Sequence, residues 1–271
     1  MDVRRPAVAG TFYPAEPAAL QAAVDRLLAE VEVPAGTAVD APKALIVPHA
    51  GYIYSGPIAA AAYARLRPIA GAIRRVILLG PAHRVAIPGL ALPGVRQFAT
   101  PLGVVTIDTD AAAVARGLAH VHESPLAHAG EHSLEVQLPF LQRVLSDFTL
   151  VPFVVGDATA DMVADVLDVL WGGPETLIVV SSDLSHYHPY RDAQGIDKTT
   201  AERILALASC LDHEQACGAT PINGLLLAAR RRRLHVELLD LRNSGDTAGD
   251  RGRVVGYAAF GFREGGAHGA H

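Results

Sequence analysis

The sequence predicts an α/β fold: a three-layer α/β/α sandwich around a mainly parallel sheet with a mixed edge. Two observations carry this reading. Short continuous apolar runs, such as Lys43–Pro48 (KALIVP), Arg75–Gly80 (RVILLG) and Thr176–Ser181 (TLIVVS), read as strands buried on both faces. Longer amphipathic stretches stand between them, and strands interleaved with helices call for parallel crossovers. Half of the 271 residues are hydrophobic and 19% are charged, which supplies a core and excludes a disordered chain.

In chain order, an N-terminal helix leads into a Pro/Gly/Ala surface loop at Val33–Pro42. KALIVP is the first strong strand, and Ser55–Leu66 is an Ala-rich helix. RVILLG follows as a strand, Val104–Ile107 as a weaker one, and Thr109–Ala119 as a helix. His132–Leu145 places apolar residues at 134, 138, 141 and 145, a helical spacing. Phe148–Val155 is a strand, Asp161–Leu170 a helix, and TLIVVS a strand. Lys198–Ala208 and Ile222–Arg232 are helices, and Leu234–Leu239 and Val254–Phe262 close the chain as strands. With no repeat and no linker-like break, residues 1–263 read as one α/β domain. The low-complexity end, 264–271 (EGGAHGAH), reads as a flexible tail.

Charge and cysteine usage exclude whole classes. Lys and Arg number 23 against 28 Asp and Glu, a net −5 with no basic footprint for nucleic acid. Two cysteines make no disulfide framework and fit a reducing compartment. Met1–Pro6 has no apolar stretch behind it to make a secretory signal. No run approaches the roughly 18–20 apolar residues of a membrane span. A soluble cytoplasmic protein is expected. Twelve histidines turn attention to imidazole chemistry.

Three predicted strands end alike. KALIVP runs into His49–Ala50–Gly51–Tyr52, RVILLG into Pro81–Ala82–His83, and TLIVVS into Ser182–Asp183–Leu184–Ser185–His186. In an open parallel sheet the loops beyond the carboxyl ends converge on one crevice, where ligands bind. Any one of these histidines is readily explained as a hydrogen-bonded core residue, but His49, His83, Asp183 and His186 together point to a site. Imidazoles and carboxylates ligate borderline divalent metals, and two His with one anionic ligand leave positions open for substrate.

Cys217 is a candidate for the third ligand. It precedes Gly218–Ala219–Thr220–Pro221, where Thr220 reads as a helix N-cap and Pro221 as the first helical residue. The dipole of such a helix favours a thiolate, which is both a soft metal ligand and a nucleophile. The alternative is a small apolar cysteine packed under the helix. Cys210, in LALASC, reads as core. His132 and Glu135 stand at i and i+3, on one face of the predicted helix, and with Glu131 are secondary candidates; acidic residues at a helix start explain them equally well. His120, His122 and His128 read as solvated loop residues. Asp246, a further secondary candidate, lies in the turn-rich Asn243–Thr247, which turn chemistry also explains. Arg230–Arg233 reads as a solvated helix C-terminus. No Walker loop, dinucleotide-binding glycine turn or paired CxxC is present.

At these residues the sequence resembles the Memo family, whose bacterial and archaeal members are called AmmeMemoRadiSam system protein B. The resemblance rests on Val47–Tyr52, Leu79–His83, Glu131–Glu135 with Leu138–Pro139, Ser181–His186, Cys217–Ile222 and the opening Arg5–Gly10 with Phe12–Pro14. It runs from about residue 4 to about residue 263. The family is similar in fold to class III (LigB-type) extradiol dioxygenases, which are non-haem Fe(II) enzymes. The resemblance implies a metal pocket at His49, His83 and Cys217, with His186 and Asp183 beside it. Fe(II) is the metal it most readily implies, with Cu or Zn as alternatives. The cysteine replaces the dioxygenases' glutamate, which speaks against catechol-type ring cleavage. Arg84 stands where some members carry a second His, so that position is no ligand here. The family name implies AMMECR-type and radical-SAM proteins as partners, and some eukaryotic members are described as signalling adaptors and redox proteins.

Three functions follow. The first is a metal-dependent redox enzyme with His186 and Asp183 in acid–base roles. The second is a non-catalytic metal- or peptide-binding adaptor. The third is a hydrolase or transferase with Cys217 as nucleophile and His186 or His132 as base. A small molecule or a peptide is the expected ligand.

Overall fold

Among the described residues the apolar runs form the middle of one twelve-stranded mixed sheet with helices on both faces. The computed structural model describes residues 2–32 and 41–265. Its strands are β1 (Val3–Arg4), β2 (Ala44–Val47), β3 (Arg75–Pro81), β4 (Leu90–Leu92), β5 (Gln97–Thr100), β6 (Gly103–Ile107), β7 (Val121–Glu123), β8 (Thr149–Val155), β9 (Thr176–Ser181), β10 (His186–His188), β11 (His235–Asn243) and β12 (Val254–Arg263). The helices are α1 (Pro17–Ala29), α2 (Tyr52–Tyr63), α3 (Thr109–Ala115), α4 (Pro125–Ala129), α5 (Leu138–Val144), α6 (Ala160–Leu170), α7 (Tyr190–Leu205) and α8 (Ala219–Arg231).

The centre of the sheet is β8-β3-β9-β2, and every pairing within it is parallel. β12 pairs antiparallel with β2, β10 and β11, and β5 antiparallel with β6, so the edges are mixed. Successive side chains of a strand point to opposite faces. Leu45, Val47, Leu78 and Val179 therefore pack in one core with Leu20 and Val24 of α1, Ile58 of α2 and Leu141 of α5. Ala44, Ile46, Ile77, Leu79 and Val180 pack in the other, with Val163 and Leu167 of α6 and Leu225 of α8. Each fully buried Leu, Ile or Val contributes about 1.5–3 kcal/mol, which explains why the interior positions of these runs are apolar on both faces.

Several local expectations are corrected. The segment His132–Leu145 is not one helix: a turn and a 3₁₀ segment, Glu135–Gln137, precede α5. The Glu131 carboxylate accepts the His132 and Ser133 amides, a local contact that competes with helix. Helix α8 starts at Ala219 with Gly218 at its cap, so Thr220 is not the cap. The Ser182 hydroxyl accepts the Gly218 amide at 2.9 Å in its place. Cys210 is exposed, because α7 ends at Leu205 and the chain turns through Leu207 at φ 54°. His128 is buried in α4 and donates from Nε2 to the Ala91 carbonyl at 2.8 Å. His122 is half-buried on β7, and His120 is half-buried beside it. Arg231 and Arg232 both pair with Asp168, so the arginine run is not merely solvated. The Val33–Pro42 loop lies outside the described residues except at its last two positions. The tail beyond Gly265 also lies outside them, while Glu264 accepts from the Trp171 indole at 3.2 Å. Among the described residues no helix is long and apolar enough to cross a membrane.

Candidate metal centre

Three adjacent strands deliver the site. β3, β9 and β2 are neighbours in the sheet, and their carboxyl ends release His83, Asp183 and His49 side by side. Two close backbone approaches shape the floor. A Cβ on Gly80 would stand 2.7 Å from Ser133 Oγ, so glycine lets the loop carrying His132 lie against the end of β3. A Cβ on Gly218 would stand 2.7 Å from Ser182 Cβ and 2.9 Å from the Ser181 carbonyl. Glycine there lets the start of α8 bring Cys217 up to the end of β9.

His49, His83 and His132 form a cluster in which one ligand atom from each lies within 4.8 Å of the others. The ring centroids are 5.1 Å apart for His49–His83, 5.4 Å for His49–His132 and 4.8 Å for His83–His132. The hydrogen bonds decide which nitrogens are free. Ser181 Oγ donates to the Ser133 carbonyl at 2.6 Å, so it can only accept from His49 Nδ1, 2.9 Å away. His49 therefore carries its proton on Nδ1 and presents an Nε2 lone pair. The His83 Nδ1 lies 3.0 Å from Glu131 Oε1, a carboxylate oxygen that accepts, so His83 also presents Nε2. His132 Nδ1 sits 3.3 Å from the same oxygen, off hydrogen-bond geometry.

Glu131 is the organiser. Burial opposes its ionisation, but the imidazoles of His132 and His83 and the Ser133 amide outweigh it and hold the carboxyl well below its ordinary range. It also accepts the His83 and His132 amides at 2.6 and 2.9 Å. Burial pulls His49 down to about 4 against the opposing charge of Asp183, so its ring is neutral near pH 7. Neutral imidazoles, fixed in one tautomer by a carboxylate or a hydroxyl behind them, are what a bound transition metal requires. The residues present fit a metal ion.

Cys217 Sγ lies 3.3 Å from His49 Nε2 and stands outside the three-histidine cluster. The dipole argument for its thiolate does not hold: burial and the Asp183 charge push the thiol up to about 12. Asp183 Oδ1 accepts the His49 amide at 2.7 Å, and its Oδ2 lies 4.0 Å from His49 Nε2. His186 sits on β10 with Nδ1 2.8 Å from the Leu184 carbonyl, which leaves its Nε2 lone pair free. His49, His83, His132, Asp183, His186 and Cys217 all line one open cavity of about 820 Å³.

A family model described as Memo-like protein matches residues 4–261. The chain belongs to the Memo family. A MEMO1 family protein of Methanopyrus kandleri is 37% identical over 290 residues, covering 97% of this chain and 99% of the relative. One from Methanothermobacter thermautotrophicus is 34% identical over 274 residues, covering 94% and 99%. One from Aquifex aeolicus is 36% identical over 274 residues, covering 97% and 100%.

Of the four secondary candidates only His132 lines this Memo family cavity; Glu131 stands behind His83, and Glu135 and Asp246 lie elsewhere. Glu135 is fully buried behind it, where it pairs with Arg4 at 2.5 Å and accepts the Tyr13 hydroxyl and the Ala7 and Val8 amides. It and His132 share no helix face, because His132 lies before the turn at residues 133–134 and Glu135 begins the 3₁₀ segment. Asp246 accepts the Tyr190 hydroxyl and closes a capping box with Asn243, as turn chemistry predicts. Ser181 went unmarked in the sequence although its hydroxyl fixes the His49 tautomer; its place as the last strand residue before Ser182–Asp183 was the available signal. Phe12, whose ring centroid lies 4.8 Å from that of His132, and Tyr54 also line the cavity, and isolated aromatics carry no sequence signal of this role.

Proposed function

We propose that this Memo family chain is a metal-dependent redox enzyme whose metal is held by His49, His83 and His132, with the Cys217 sulfur, which gives up its proton on joining the metal, as a further donor. The observation that supports it most is the fixed tautomer of His49 and His83, which leaves an Nε2 lone pair on each of two imidazoles of the cluster. A sulfur donor beside imidazoles favours Fe, Cu or Zn over oxygen-preferring Mg or Ca. A bound Fe(II) or Cu ion supplies Lewis acidity and a one-electron couple, whereas Zn(II) supplies Lewis acidity alone.

The chain's own residues do the rest. Glu131 and Ser181 orient the imidazoles. Asp183 clamps the His49 backbone. His186 offers Nε2 to take or return a proton at the cavity wall. The high thiol pKa of Cys217 speaks against free nucleophilic catalysis by that residue.

The test is anaerobic titration of untagged protein with Fe(II), Cu(I) and Zn(II), on wild type and on His49→Ala, His83→Ala, His132→Ala and Cys217→Ala. One tight equivalent in wild type is expected, with each imidazole loss costing more than the roughly 10–100-fold of an outer-shell change. Electron paramagnetic resonance of the Fe- or Cu-loaded protein, before and after oxygen, reads the redox step. Binding no tighter than about 10⁻⁵ M, or indifferent to all four changes, sinks the proposal.

A further inference from the structure

The cavity over the histidines is about 820 Å³, within the size range of small-molecule sites. Two exposed arginines, Arg84 and Arg253, are among the residues that line it. Neither makes a hydrogen bond or an ion pair to any described residue, and both line the cavity that carries the histidines. Arg84 directly follows His83, whose amide is anchored on Glu131 at 2.6 Å, so its backbone is fixed beside the cluster.

Arg253 lies over the Tyr187 ring, 5.0 Å from its centroid. Tyr187 has a φ of 63°, a left-handed conformation that is costly for a bulky residue and that collects at functional sites. Its ring is 62% exposed, so no core burial compensates for the strain. The conformation belongs to a bulge in the β10–β12 pairing between His186 and His188, and it stands the ring at the cavity wall, 5.6 Å from the His186 ring, with the Arg253 guanidinium over it. Stacking occupies the face of a guanidinium and leaves its N–H fork free for a planar anion.

We infer that the cavity recognises a small organic carboxylate whose anionic end is held by Arg84 and Arg253 of its lining. The inference deepens the metalloenzyme reading and shares its cavity. The class of anion follows from what else lines the wall. Asp183, Glu214 and Asp250 oppose the two arginines, and a monoanion meets less repulsion there than a dianionic phosphate. Phe12, beside His132, and Tyr54 supply apolar surface for the body of the ligand.

The experiment uses the metal-free full-length chain, so that it does not depend on the metal. Benzoate, neutral benzamide and phenyl phosphate are titrated by calorimetry and by NMR chemical shift. Benzoate is expected to bind at least about tenfold tighter than benzamide, and to lose about tenfold in each of Arg84→Gln and Arg253→Gln, with partial recovery in Arg84→Lys. Both arginines are exposed, so unchanged circular dichroism controls for folding. Equal binding of benzoate and benzamide, indifference to both Gln variants, or benzoate affinity weaker than about 10 mM overturns the inference. Tighter binding of phenyl phosphate than of benzoate overturns the carboxylate assignment. Arginine-dependent benzoate binding in a chain that takes up no metal keeps this inference and removes the metalloenzyme reading. Tight metal binding without benzoate selectivity does the reverse.

Discussion

Glu131 Oε1 lies 3.0 Å from His83 Nδ1, and that contact decides which nitrogen of the imidazole faces the cavity. The same carboxylate accepts the His83, His132 and Ser133 amides, so one buried group fixes two of the three clustered histidines. Glu131→Gln replaces an acceptor-only group with one that also donates, and leaves some of these donors unmatched. Metal affinity is expected to fall about 10–100-fold, with about 1–3 kcal/mol lost from stability. Metal titration alongside urea unfolding checks both. Unchanged affinity with lowered stability means that Glu131 is structural only.

Glu135 separates the scaffold from the site. Glu135→Gln weakens the contacts to Arg4, Tyr13 and the residue 7 and 8 amides, at a cost of about 1–3 kcal/mol. Metal stoichiometry and affinity should stay as in wild type, because Glu135 lies behind the cavity wall. A denaturation curve and a metal titration on the same preparation decide it. A tenfold loss of metal affinity in a folded variant contradicts the placement.

Gly218→Ala tests how Cys217 is positioned. The added methyl meets Ser182 Cβ at 2.7 Å and the Ser181 carbonyl at 2.9 Å, and backbone cannot yield cheaply. A destabilisation of about 1–3 kcal/mol is expected. If Cys217 is a donor, any cysteine–metal charge-transfer band in the Cu-loaded protein should weaken at the same time. Absence of such a band from the Cu-loaded wild type shows that sulfur does not bind, and a band unchanged in Gly218→Ala shows that Gly218 does not position it.

Asp197 gives a pH signature. Burial raises its carboxyl to about 6, against the Ser185 amide and the charges of His186 and His188. The native state therefore prefers the protonated acid. Its contribution is fully present below the unfolded value near 3.8 and is lost as pH rises through about 6. The total is about 3 kcal/mol. Asp197→Asn keeps an oxygen for the Ser185 amide and removes the ionisation. The variant should melt higher than wild type at pH 7.5, with the difference closing near pH 4. Thermal melts across that range measure it, and a constant difference across the range rules out this role.

The sheet was legible because its cause is local. Runs such as TLIVVS can be buried on both faces only in the middle of a helix-covered sheet, and strand ends in such a sheet converge on one side. That placed His49, His83, Asp183 and His186 at one edge before any contact was known. The short strands were not legible. β4 and β7 are three residues each, and their pairing with each other and of β4 with β8 comes from tertiary packing rather than from pattern.

The sequence by itself determined the fold class, the family resemblance and the crevice to which the histidines go. Only the tertiary structure decided which histidines meet. His132 and Glu135 look alike at i and i+3. A turn sends the first to the metal cluster, and long-range bonds to Arg4, Tyr13 and residues 7–8 hold the second behind the wall. The protonation of His49 was also beyond the sequence, because it depends on where the Ser181 hydroxyl donates. The thiol of Cys217 shows the same division. A helix start close in sequence argued for a thiolate, but the surrounding burial outweighs a dipole effect of about 0.3–1 kcal/mol and keeps the proton on sulfur.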